Sequence, residues 1–132
     1  AEPAPGKGAF RSPHDVMLAR DGRMFVVDSG NHRIVVLGKD LKLSQILTGP
    51  PYDFKDPKYL AEGDDGSIYV ADEHNNRVLV LDKNLKPIGA IGSGEKGDAD
   101  GQLNWPEGVY VKGPDIWVAD TYNNRILRFR RD

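Results

Sequence analysis

The sequence contains no cysteine and no apolar run as long as a membrane-spanning helix requires, roughly 20 residues. Without cysteine it has neither disulfide bonds nor thiolate chemistry. Charges of both signs are mixed along its 132 residues, and the formal net charge is −2. This balance argues against RNA and other polyanions, because such partners select a broad basic face. We therefore expect neither a membrane nor a nucleic acid as a partner.

Familiar catalytic motifs are missing as well. None of the serines lies in the Gly-x-Ser-x-Gly frame of a hydrolase nucleophile. The glycine-rich segment at 92–101 is not followed by a helical pattern, as a phosphate-binding loop would be, and its aspartates miss the spacing of an EF-hand calcium loop. No stretch shows helical periodicity, so the fold is predicted to be all-β.

The sequence is instead rich in repetition. The pattern Asp-x-x-Asn-x-Arg occurs three times, and its copies are 44 and 48 positions apart. A second frame, apolar-x-x-Pro-x-x-apolar, also occurs three times, with its prolines 44 and 49 positions apart. The two spacings agree within one residue, which indicates three structural units. The aspartates are Asp28, Asp72 and Asp120, and the prolines are Pro13, Pro57 and Pro106.

Each unit is predicted to be a meander of short antiparallel strands, called a to d. Alternating apolar residues mark the strands, and Gly, Asp and Asn mark the turns between them. The predicted strands are 15–19, 24–27, 34–37 and 43–47 in the first unit, 59–61, 68–71, 78–81 and 86–91 in the second, and 108–111, 116–119 and 126–129 in the third. Units of this kind and period are typical of β-propeller blades.

The units resemble the NHL repeat of β-propeller proteins. The shared frame is Pro-x-x-[Val/Leu], then Gly-x-[Ile/Met]-[Tyr/Phe]-Val-x-Asp, then Asn-x-Arg-[Ile/Val]-x-x-[Leu/Phe]. The resemblance implies three blades, at about 10–53, 54–102 and 103–132, after an irregular lead-in at 1–9. Segment 92–101 matches the glycine-rich connection between two blades. The third blade is expected to lack its outer strand.

Three blades form an arc, because each blade packs both of its faces on neighbours. The two end faces would stay exposed, and exposed apolar patches of that size favour association. We therefore expect a homodimer of half-propellers that closes into a six-bladed ring. The alternative is that the chain is a fragment of a longer six-bladed protein. The start at Ala1-Glu2-Pro3-Ala4, without a Met, suits a mature secreted or periplasmic protein or a shortened chain, and we expect the former.

The residues that recur in all three motifs have a structural interpretation. The aspartate ends strand b, where its carboxylate is expected to accept amide hydrogens of the following turn. The arginine opens strand c and reaches that carboxylate, and the asparagine suits a left-handed turn position. Because an active site rarely needs three equivalent copies, we interpret the motif residues as turn fasteners. They are Asp28, Asn31, Arg33, Asp72, Asn75, Arg77, Asp120, Asn123 and Arg125.

The residues that differ between the units are the better candidates for a site. His14, Lys58 and Glu107 follow the repeated proline in the three units, at the mouth of the innermost strand. In a meandering blade this position lies on the same face as the b–c loop, which carries Tyr122 in the third unit. We expect these four residues to line the central channel and to bind a small molecule or a peptide.

One of these residues suggests a second function. Segment 13–16, Pro-His-Asp-Val, resembles the Pro-His-x-[Val/Leu] context of the metal histidines in the peptidyl-α-hydroxyglycine α-amidating lyases. The resemblance implies that His14 is a zinc ligand and that Tyr122 is the catalytic tyrosine. That lyase needs three channel histidines, whereas Lys58 and Glu107 occupy the other two positions. The remaining histidines are expected to face solvent in b–c turns: His32 and His74.

The sequence therefore favours a non-enzymatic propeller module without a cofactor, which binds or scaffolds as a homodimer. The alternative is a zinc-dependent enzyme related to the amidating lyases.

Overall fold

The computed structural model describes residues 10–131 and consists of three antiparallel β-sheets. The predicted lead-in at 1–9 lies outside the described residues. The first blade contains β1 (Pro13–Leu18), β2 (Met24–Asp28), β3 (Arg33–Leu37) and β4 (Leu43–Leu47). The second contains β5 (Pro57–Glu62), β6 (Ile68–Asp72), β7 (Arg77–Leu81) and β8 (Pro87–Ile91). The third contains β9 (Pro106–Lys112), β10 (Asp115–Asp120) and β11 (Arg125–Arg130). The all-β, blade-like architecture is confirmed.

All eleven predicted strands are present, and they pair in chain order within each blade. Most extend one or two residues beyond their predicted ends, because the first residues after the repeated proline also pair, across a register shift. Within residues 10–131 the third blade has three strands. The helical segments of the described chain are single 3-10 turns of three residues each, and none could cross a membrane.

Alternation along the strands places two apolar cores between the three blades. On the second blade, Ile68 and Val70 face the first blade, whereas Tyr69 and Val78 face the third. Each of these four side chains is fully or almost fully buried. Burial of one such side chain contributes about 1.5–3 kcal/mol, so the blades are held mainly by the contacts between their faces.

Candidate functional site

The repeated motif forms the same clasp in every blade. In the second blade, the Asp72 carboxylate accepts hydrogen bonds from the Lys55 amide (2.9 Å) through Oδ1, and from Asn75 Nδ2 (2.8 Å) and Arg77 Nε (2.9 Å) through Oδ2. The amide of His74 donates in turn to the Lys55 carbonyl at 3.1 Å. The clasp therefore ties the b–c turn to the segment that leads into the innermost strand, so both lie on one face of the blade.

The other two blades repeat these bonds. Asp28 Oδ1 accepts from the Arg11 amide at 2.7 Å, and Asp120 Oδ1 accepts from the Asn104 amide at 2.7 Å. Their Oδ2 atoms accept from the motif asparagine and from Nε of the motif arginine: Asn31, Arg33, Asn123 and Arg125. All three carboxylates are completely buried.

Two details of the sequence interpretation were wrong. The aspartate amide partner precedes strand a and does not belong to the turn that follows the aspartate, because the 3-10 turn closes on its own backbone. The left-handed residue is the one after the motif asparagine, since the asparagine side chain is held by the aspartate. These left-handed residues are His32, Asn76 and Asn124, with φ of 54°, 51° and 53°.

A polar cluster lies on the clasp face, at the mouth of the channel that the innermost strands line. His14 Nδ1 donates to the Ser12 carbonyl at 2.9 Å, and the Lys58 ammonium donates to His14 Nε2 at 3.4 Å. Lys58 Nζ also lies 3.2 Å from Asp56 Oδ1 and 4.0 Å from Glu73 Oε1. The cluster thus connects the first blade to the second.

Glu73 is at the centre of this cluster. Its Oε1 lies 3.2 Å from Nε2 of His74, and the same His74 nitrogen lies 3.5 Å from Asp56 Oδ2. Burial, followed by the neighbouring Glu107 carboxyl, raises the pKa of Glu73 to about 8. Its Oε2 atom is buried and has no hydrogen-bonding partner of ordinary geometry in the described part of the chain. The site therefore holds more carboxylate than its own cations balance.

Three aromatic rings continue the cluster toward the third blade. The centroids of His74 and Trp105 are 4.4 Å apart, and those of Trp105 and Tyr122 are 4.6 Å apart, all tilted. Tyr122 is largely exposed at the end of this row. The row offers an apolar surface beside the carboxylates, where part of a ligand could stack.

The structure brings most of the sequence-predicted site residues into this cluster. His14 contacts Lys58, Glu107 adjoins Glu73, and Tyr122 packs on Trp105. The expectation that His74 faces solvent was wrong, because its ring is held between Trp105 and two carboxylates.

Sequence reasoning missed Asp56, Glu73 and Trp105. The signal that finds them is the one that found His14, namely disagreement between the repeats. Glu73 replaces the Ser29 and Thr121 of the other two motifs, and Asp56 and Trp105 occupy the position of Ser12.

The surroundings of His14 do not fit the zinc ligand set of the amidating lyases. An ammonium group, Lys58 Nζ, adjoins its Nε2 atom, and its Nδ1 atom is engaged by a carbonyl. A catalytic zinc site needs three such ligands and an open position. Among residues 10–131, the one cluster of three metal-ligating groups is Asp56, Glu73 and His74, without His14.

Comparison with known proteins identifies the repeat. A sequence model of the NHL repeat matches residues 10–37 and 103–129. The second blade, which this model does not match, has the same strand order and the same clasp. No curated protein sequence matches the chain.

Solved structures confirm the propeller fold. A streptogramin B lyase matches with a TM-score of 0.71 at 18% identity, over 97% of this chain and 39% of the lyase. A protein of unknown function from Bacteroides thetaiotaomicron matches with a TM-score of 0.72 at 13% identity, over 96% of this chain and 36% of that protein.

A catalytically inactive virginiamycin B lyase from Staphylococcus aureus, with quinupristin, matches with a TM-score of 0.68 at 19% identity, over 96% of this chain and 43% of the lyase. The chain thus spans about two-fifths of the length of these three proteins. At such low identity the likeness concerns the fold alone.

Proposed function

We propose that this chain, which carries NHL repeats and folds as three β-propeller blades, is half of a six-bladed ring that a second copy completes. The ring serves as a non-enzymatic binding or structural module, with its ligand site at the channel mouth. The ligand is a small molecule or a peptide that the polar cluster and the aromatic row contact.

The observation that carries the proposal is a contrast between internal faces and end faces. The sixth residue after the motif aspartate is fully buried in the first two blades, as Ile34 and Val78, but it is 67% exposed in the third blade, as Ile126. The third residue after the repeated proline is 8% exposed in the second blade, as Leu60, and 60% exposed in the first, as Val16. Each end face therefore presents positions that a neighbouring blade buries elsewhere.

The polar contacts between blades show the same pattern. His32 accepts a hydrogen bond from the Asp56 amide at 2.9 Å, and Asn76 accepts one from the Trp105 amide at 3.0 Å. Both acceptors are the left-handed residues of their turns, and both donors follow at the start of the next blade. In the third blade that acceptor is the exposed Asn124. The matching donor would be the Ser12 amide of a second copy.

A second copy suits these faces because the first and third blades are complementary. The back face of the third blade would contact the front face of the first blade of the partner, and the same contact would recur on the opposite side. Two such contacts related by a two-fold axis close the assembly, which is the requirement for a ring rather than a filament. The resulting count of six lies within the usual four to eight blades.

A binding role follows from the division of labour within each repeat. The motif aspartate, asparagine and arginine are engaged in the clasps and serve the same structural purpose in every blade. The chemically diverse residues are those that differ between blades, and they converge at the channel mouth.

The solution mass of the full chain tests the ring. We expect light scattering after size-exclusion chromatography to give twice the mass of the chain. Ile126→Asp should give a monomer, because it places a charge in the new apolar contact. The matched control is Leu41→Asp, which changes a similarly exposed leucine in a β3–β4 turn and should leave the dimer intact.

Three results would overturn the ring: a wild-type monomer at all concentrations, an open series of larger polymers, or a dimer that survives Ile126→Asp. Circular dichroism of both variants would verify that they are folded.

A further inference from the structure

We propose that Asp56, Glu73 and His74 form a binding site for a divalent transition-metal ion, with Zn²⁺ as the best-matched probe. All three residues belong to the second blade. The site therefore does not depend on ring formation, although it lies within the proposed ligand site. A monomer that binds Zn²⁺ would overturn the ring and keep the metal site.

The distances between the ligand atoms match tetrahedral coordination. His74 Nε2 lies 3.2 Å from Glu73 Oε1 and 3.5 Å from Asp56 Oδ2, and the three atoms lie within 4.8 Å of one another. Two ligand atoms that are each about 2.0–2.1 Å from a tetrahedral Zn²⁺ ion lie about 3.3–3.4 Å apart. The two histidine distances bracket this value, so an ion requires only small side-chain movements. A fourth position would remain open.

A second, independent observation is the burial of Glu73. Its side chain is 4% exposed, and its Oε2 atom has no hydrogen-bonding partner of ordinary geometry in residues 10–131. A buried carboxylate oxygen without a partner costs free energy, which a bound cation would offset. Glu73 also replaces the small hydroxyl residues of the other two motifs, Ser29 and Thr121. The first of these hydroxyls donates to the Pro57 carbonyl of the next blade, a bond that a carboxylate cannot donate.

The neighbours of the site leave the ligand atoms available. Asp56 directs Oδ1 toward Lys58 Nζ at 3.2 Å, which leaves Oδ2 on the side of His74. Lys58 Nζ is more distant from Glu73, at 4.0 Å. The ammonium therefore acts as a partial, built-in counterion that competes with a metal without occupying its position. The adjacent Glu107 adds a further negative charge on the side of the third blade.

The mixture of ligands indicates the class of ion. One imidazole nitrogen with two carboxylates suits Zn²⁺ and related first-row ions, whereas Mg²⁺ prefers an all-oxygen octahedron that retains several waters. We expect Zn²⁺ to bind and Mg²⁺ not to compete at the same concentration.

Isothermal titration of the chelator-treated full chain with Zn²⁺ tests the proposal. We expect one ion per chain, and a loss of affinity on the order of tenfold or more in His74→Ala and in Glu73→Gln. The matched control is His32→Ala, which removes an exposed histidine from the corresponding position of the first clasp turn plus two residues, outside the cluster. It should leave the affinity unchanged.

Lys58→Met distinguishes a metal site from a merely structural cluster. Removing the competing ammonium should raise Zn²⁺ affinity, whereas loss of a structural ion pair would move stability alone. The absence of Zn²⁺ binding, equal affinity in wild type and His74→Ala, or weaker binding in Lys58→Met would overturn the proposal. Denaturation midpoints of each variant would show that the chain compared is folded.

Discussion

The three clasps form an internal series in which one substitution has a graded cost. Replacing the motif aspartate with alanine removes a fully buried carboxylate in every blade, but the arginine left behind differs in its access to water. The exposed fraction of its side chain is 3% for Arg33, 22% for Arg77 and 32% for Arg125. Because a stranded charge costs most where water cannot reach it, the cost should fall from the first blade to the third.

The remaining hydrogen bonds of each arginine reinforce this order. Arg77 also donates to the Tyr52 carbonyl, and Arg125 donates to the carbonyls of Asp98 and Gln102. The two terminal nitrogens of Arg33 are buried and have no hydrogen-bonding partner in the described chain. Arg33 therefore depends most on its aspartate.

The magnitudes follow from the type of interaction that is lost. Removing one partner of a buried ion pair costs about 3–5 kcal/mol, which we assign to Asp28→Ala. A single hydrogen bond to a charged group contributes about 1.5–3 kcal/mol, which we assign to Asp120→Ala, where the guanidinium keeps water and two carbonyls. Asp72→Ala should fall between them.

Urea unfolding measures the series as shifts in midpoint at constant slope. The Ile126→Asp background keeps all proteins monomeric, so dimerisation does not add to the apparent stability. The control is Asp64→Ala, an exposed aspartate in a hairpin turn, which should cost less than about 0.5 kcal/mol. Equal costs in the three blades, or the greatest cost at Asp120, would refute the argument from arginine burial.

Three further predictions concern individual contacts. Gly92→Ala should destabilise the chain by about 1–3 kcal/mol, because φ is +93° and the new Cβ would lie 2.8 Å from the Asn76 carbonyl oxygen, whereas Gly89→Ala, with open space around it, should be neutral; thermal melts that rank them the other way would contradict this. Asn76→Gly keeps the left-handed turn but removes the acceptor for the Trp105 amide, so it should cost about 0.5–1.5 kcal/mol, and an unchanged midpoint would show that the bond between the blades is dispensable. Burial, then the charge of Asp82, raises the pKa of Tyr52, whose hydroxyl donates to a carbonyl at 2.8 Å. Since the folded pKa exceeds the unfolded value, this contribution to stability is present below pH 10 and is lost as the pH rises further, and a Tyr52→Phe variant with the same alkaline loss would contradict it.

Much of the fold was predictable because the signals are local. Alternation and turn residues located all eleven strands, since side chains on a strand point to opposite faces in turn and glycine or asparagine must supply the unusual turn conformations. Threefold recurrence marked the motif as a repeated element, and the arginine partner of its aspartate could be inferred from a separation of five residues. The amide partner could not, because Lys55 and Asp72 are 17 residues apart.

The sequence by itself determined the strands, the repeat and the kind of residue that differs between repeats at the channel mouth. Only the tertiary structure decided that Glu73 is buried and that His74 turns inward between Trp105 and two carboxylates. The physical reason is that strand periodicity depends on neighbours one or two residues away along the chain. The contacts of a turn side chain depend instead on how the next blade is stacked, which places residues from distant parts of the sequence within hydrogen-bonding distance.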